Sequence, residues 1–179
     1  MDTAPRLRLR LDPAALLLAG QFAVSAIAER TAEGRDADGK AFVPYSARPL
    51  ALPASAVPKR ARLRLKRAQD GLFYFTSRRS GALWFVVEGG YAALKAARYP
   101  QDEGTVNLHA TGAMLRALRV LGAAPDASGG GTVTLGFSRP EEAQKAFWNS
   151  RTRRFLGLTL DEQAEAARVA GAGVSVDVR

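Results

Sequence analysis

The sequence predicts an α+β fold: a small antiparallel sheet with N-terminal, short central and C-terminal helices, plus a long extended arm. Three observations predict it. Short runs that alternate apolar and polar residues, or are wholly apolar, recur at strand length along the chain. Between and beyond them lie stretches that open with helix-start signals. Residues 33–58 hold four prolines and two glycines and no sustained period, which marks an irregular arm. With 47% apolar and 24% charged residues the chain can bury a core, and 179 residues suggest one domain over 1–179, its arm at about 33–66.

The elements follow in order. "RLRLRLD" (6–12) alternates arginine and leucine, the period of a half-buried strand. Asp12 then precedes Pro13, an N-cap before a proline at the first helical position, and starts a helix to about Arg30 with Leu17, Val24, Ile27 and Ala28 on one face. The arm follows. "KRARLRLKR" (59–67) holds six basic residues in nine and alternates at its centre, so 61–66 reads as a second such strand. "GLFYFT" and "ALWFVV" flank "SRRSG" and read as a hairpin with a basic turn. "EGGYAALKAARYP" is a short helix stopped before Pro100. "MLRALRVLG" and "GTVTLGFS" are strands joined by "AAPDASGGG". "RPEEAQKAFWNS" has a proline and acids at a helix start, and Thr159 with Glu162 forms a capping box for a last helix. "GVSVDVR" closes the chain as a strand.

Several function classes are excluded or disfavoured. There is no cysteine and one histidine, His109, so thiolate and paired-histidine metal sites are impossible, and no partner for a catalytic His109 can be placed. "DADG" (36–39) opens like a calcium loop but its glycine comes too early, which leaves a turn. "GGG" (129–131) leads to a strand rather than a helix N-terminus, so it is a loop and not a phosphate cradle. The run 13–28 follows Arg6, Arg8 and Arg10 and ends near "SAIAE", as in a secretory leader. Gly20, Gln21 and Ser25 interrupt it, and it falls short of the roughly 20 residues of a membrane span, so a soluble amphipathic helix is expected and no membrane partner. No enzyme, cofactor or metal constellation emerges.

The net charge of +9 suggests an anionic partner such as nucleic acid, a membrane surface or an acidic protein face, and equally suits a basic, arginine-preferring composition with no such partner. Candidate contacts with DNA or an acidic protein are Lys59, Arg60, Arg62, Arg64, Lys66 and Arg67, then Arg78 and Arg79, then Arg151, Arg153 and Arg154. The neighbouring aromatics stand at strand-core spacing, not as stacking platforms, so any DNA contact is expected to be non-specific.

Three segments in order resemble the phage virion morphogenesis (tail completion, neck) family. They are "FAVSAIAERTAEGRDADGKAFVPYS", with a helix leading to a G-x-x-aromatic segment; "EGGYAALKAARYPQDEGTVNLHATGAMLRALRV", with G-Y-x-x-L-K and L-x-x-T-G-x-M; and "TVTLGFSRPEEAQKAFWNSRTRRFLGLTLDE", with R-x-F-x-G-L before a terminal helix. The resemblance covers about 21–170. It implies a structural virion protein at the head–tail junction or tail terminus, made in the host cytoplasm, with no reaction and no cofactor. It implies a homo-oligomeric ring, a hexamer, joined to neck, tail-terminator or tail-tube proteins. Candidate docking residues are Phe42 and Tyr45 on the arm and Phe155, Leu156 and Leu158 in "RTRRFLGLT"; the same three apolar side chains equally suit entry into the core before the last helix. The leucine faces of 6–11 and 61–66 would supply edge strands for ring contacts. The alternative is a stand-alone, non-specific nucleic-acid-binding protein.

Overall fold

Helix α1 (Pro13–Ala32) begins where Asp12 Oδ1 accepts the Ala14 amide at 2.9 Å, as Asp-Pro dictates. Its buried stripe is Leu16, Ala19, Gly20, Ala23, Ile27, Arg30 and Thr31, and Leu17 is 45% exposed. The expected face was therefore rotated. Small residues at 19, 20 and 23 let the helix backbone approach the sheet, and that close approach outweighs the pull of one larger side chain.

The computed structural model describes residues 12–67, 71–100, 106–108, 112–125, 130–171 and 174–178; the expected strand 6–11 and His109 lie outside them. A single domain with an arm gives way to two compact units, one of residues 1–42 with 107–179 and one of residues 43–106.

In the first unit, β4 (Leu118–Pro125), β5 (Gly131–Phe137) and β6 (Val174–Val178) form a sheet in the order β4-β5-β6. The β4–β5 pair is antiparallel with an irregularity between Val120 and Gly122, whereas β6 lies parallel to β5. A parallel neighbour needs a crossover, and α5 (Pro140–Ser150) and α6 (Leu160–Ala170) provide it. Helix α1 packs on β4, β5 and α6. "MLRALRVLG" splits: Ala113–Ala117 is the short helix α4, burying Met114, Leu115 and Ala117, and the strand starts at Leu118. Gly112, at φ +69°, turns the chain into that helix.

In the second unit, β1 (Leu50–Pro53), β2 (Leu72–Thr76) and β3 (Leu83–Val87) form a fully antiparallel sheet, order β1-β3-β2. The predicted hairpin is β2–β3. Helices α2 (Lys59–Arg67) and α3 (Gly90–Arg98) supply Ala61, Leu65, Leu94 and Ala97 to a core with Val57, Phe85 and Val87. Gly90 sits at φ +66°, and a Cβ there would stand 2.3 Å from the Arg48 carbonyl oxygen, so only glycine lets 46–48 pass this close.

Two expectations fail here, for physical reasons. Residues 61–66 are helical, not extended. Lys, Arg, Leu and Ala are good helix formers, and the buried pair Ala61/Leu65 is four residues apart while Leu63 is 58% exposed. The arm over 33–66 is also tied down at several points, although most of its residues are exposed. Arg35 and Ala41 form a β-bridge, Asp36 Oδ1 accepts the Asp38 and Lys40 amides at 2.9 and 2.8 Å, Phe42 is buried, and β1 is paired with β3. In limited proteolysis of the isolated chain, residues 50–67 are thus expected to resist cleavage as long as the rest of their unit. Early nicking within that span would contradict this packing.

Candidate docking and nucleic-acid interfaces

"RTRRFLGLT" connects α5 to α6, and its apolar residues turn inward. Phe155 is fully buried and Leu158 is 8% exposed. Buried Arg30, in the last turn of α1, donates from Nη2 to the Phe155 carbonyl at 2.9 Å and the Gly157 carbonyl at 2.8 Å, while its Nη1 pairs with Glu162. Glu162 in turn completes the capping box, accepting the Thr159 amide at 2.7 Å. Gly157, at φ +122°, provides the turn that presents both carbonyls to one guanidinium. Of the five docking candidates, Phe42, Phe155 and Leu158 are therefore core side chains, closed to a partner. Tyr45 is half-buried, edge-on to Tyr91 at 5.2 Å with the Lys95 ammonium 4.8 Å from its ring centre. Leu156, also half-buried, lines an open groove described below.

The basic candidates divide between the units. Six lie on α2, with Arg78 and Arg79 exposed in the β2–β3 turn of the same unit. Arg62 is held inward, its Nε donating to the Val57 carbonyl at 2.9 Å and its guanidinium 5.0 Å from the Phe85 ring centre. Arg64 donates to the Ala97 carbonyl at 3.0 Å and, with Arg60 and Arg98, lines a pocket of about 280 Å³. Lys59, Arg60, Lys66 and Arg67 are exposed on α2. Residues 43–106 carry eleven Lys and Arg against four Asp and Glu, so this unit holds +7 of the total +9. In the first unit Arg151 lies over the Trp148 ring at 5.3 Å, Arg153 is half-buried, and Arg154 pairs with Asp38 at 3.1 Å.

The sequence reading missed an aromatic face. Register places Phe85 and Val87 toward α2 and α3, so Ala51, Pro53, Phe73, Phe75, Trp84 and Val86 point the other way. Phe73 is 55% and Phe75 46% exposed, and Phe75 stacks on Trp84 at 6.3 Å. The unit thus has a cationic helix over one sheet face and bare aromatics on the other. The signal was the unbroken apolar run "LFYF", which fits a strand apolar on both faces as well as a core strand.

The groove in the first unit has a volume of about 1140 Å³. Phe22, Ala26, Leu156 and Leu160 give it apolar walls, and Glu29 and Asp161 give it exposed carboxylates that form no ion pair among the described residues. Its arginines are engaged: Arg30 by Glu162, Arg35 by Glu33 and Arg154 by Asp38. Among the described residues its unpaired charge is therefore negative.

The chain matches no protein-family model, no curated protein and no solved structure. Among the described residues no helix is long and apolar enough to cross a membrane, and no group of His, Cys, Asp or Glu side chains could hold a metal ion.

Proposed function

We propose that this is a structural protein of a tailed phage or prophage particle, placed at the head–tail junction or tail terminus. There it forms a homo-oligomeric ring, a hexamer, joined to neck, tail-terminator or tail-tube proteins. The resemblance in motif order is what suggests the family and the site in the particle. The observation that carries the mode of action is the two-faced 43–106 unit, with cations on α2 and uncovered aromatics on the opposite sheet face. A subunit lining a DNA conduit needs both a surface for phosphates and a surface for its neighbours. The leucine strand faces first expected to make ring contacts are replaced in this reading by the β2 edge and the aromatic face. Imaging of particles assembled with and without the protein tests it. A ring of density at the junction or tail end, lost in its absence, is the expected result; unchanged particles would overturn it.

The concentration of charge in one unit favours a second reading, a stand-alone non-specific nucleic-acid-binding protein. Under either reading DNA affinity comes from phosphate neutralisation. If Lys59, Arg60, Lys66 and Arg67, the exposed α2 cations other than Arg64, which bonds the Ala97 carbonyl, make the contact, the logarithm of affinity should fall against log salt with a slope of about −3.6. Titrations with two unrelated duplexes at several ionic strengths should give matching affinities. A preference above about tenfold for one sequence would exclude this mechanism.

A further inference from the structure

We infer that the β2–β3 hairpin of one copy docks into the groove between α1 and the start of α6 on a second copy. This rests on the ring-forming reading above and names its two surfaces. The hairpin offers exposed apolar side chains on both faces, Phe73 and Phe75 on the bare face and Tyr74 and Leu83 on the other, exposed by 41 to 71%, and two exposed tip cations, Arg78 and Arg79. The groove offers apolar walls, with Leu160 82% exposed, and two free carboxylates, Glu29 and Asp161. Asp161 is explained in part by the dipole at the α6 N-terminus, where an acid is favourable. Glu29 is not near the N-terminus of its own helix and pairs with no cation among the described residues. In a protein of net charge +9, a cleft whose free groups are acidic matches a basic, aromatic projection of the same chain. Aromatic and arginine side chains are those that dominate buried contacts between proteins. The two surfaces differ, so the contact is head-to-tail, and repeated with a closing rotation it makes a ring. The β2 edge, unpaired on its outer side among the described residues, can add backbone hydrogen bonds to the same contact.

The absence of cysteine permits a direct test. Ser80 lies at the hairpin tip, and Ser25 lines the groove one helical turn before Glu29. Full-length S80C and S25C, mixed and mildly oxidised, should form a disulfide-linked dimer at least about tenfold faster than S80C mixed with S55C, an exposed position elsewhere. Charge reversal R78E/R79E on the S80C chain should remove that preference, and E29R/D161R on the S25C chain should restore it. A chain carrying both S25C and S80C should give a ladder of linked copies. Linkage no faster than the control, linkage indifferent to charge reversal, or closure within one chain would overturn the inference. Particle imaging is read separately: a ring in the particle without this linkage rejects the groove contact alone. Linkage without a ring in the particle rejects the proposed location and leaves the contact standing.

Discussion

Replacing Phe155 by alanine is expected to lower the stability of the first unit by about 3–5 kcal/mol, the cost of emptying a large aromatic site in a packed core. Phe155 is the largest of the fully buried side chains. Its backbone cannot relax toward the cavity, because its carbonyl is held by Arg30 and its amide donates to the Arg153 carbonyl at 2.8 Å. Set against a typical domain stability of about 5–15 kcal/mol, the loss is large enough to move a denaturant midpoint far outside error. A docking role for Phe155 makes the opposite forecast, unchanged stability of the free chain and weaker binding to a partner. Leu160→Ala, at an 82% exposed position, is the control and should shift stability by no more than about 0.5 kcal/mol. A midpoint for Phe155→Ala equal to that control would return Phe155 to the surface.

The α+β class and the antiparallel pairing around the hairpin were legible in the sequence, because turn and cap chemistry is local. Asp12-Pro13, Thr159 with Glu162, and the "SRRSG" turn each act within a few residues, and each stands where it was expected. The chain also contains readings that local pattern cannot decide. In "RLRL" (62–65) a period of two and a helical spacing of four predict different elements, and the choice rests on a core formed with α3 and β3. The parallel pairing of β6 depends on a crossover of two helices, which nothing in "GVSVDVR" records. The 43–106 unit went unseen for a similar reason. Its first strand, "LALP", sits among the prolines that made 33–58 read as an arm, and it becomes a strand only by pairing with β3 some thirty residues later.

Candidate site residues divided along the same line. Charge on a short helix survives folding, so most of the α2 cations are where a partner could reach them. Apolar residues beside charges are ambiguous, since a side chain that could plug a neighbour's groove can equally fill its own core. For Phe42, Phe155 and Leu158 the core won, because the chain supplies partners for the backbone around them. For Phe73 and Phe75 the surface won, because the sheet of their unit has helices on one face only.

Arg30 is the second position where a large effect is expected, and in the sequence it reads as an ordinary cation closing a helix. In the fold it is 5% exposed and joins three segments, α1, the turn at 155–157 and the α6 cap, through Phe155, Gly157 and Glu162. Arg30→Ala leaves two carbonyls and a carboxylate without their donor and should destabilise the unit by about 3–5 kcal/mol, as when one partner of a buried pair is removed. Arg30→Lys keeps the charge but cannot present a planar fork to two carbonyls and a carboxylate together, so most of the loss should remain. The Arg30 Nε is buried without a hydrogen-bond partner among the described residues, which places the wild-type interaction below its ideal and the expected loss toward the lower end. The decisive measurement is a double-mutant cycle of Arg30→Met with Glu162→Gln. Because each residue's cost arises largely from stranding the other, the double variant should lose less than the two single losses combined, by about 1–3 kcal/mol. Strict additivity would show that the carbonyl contacts alone carry Arg30, and that the α6 cap stands independently of α1.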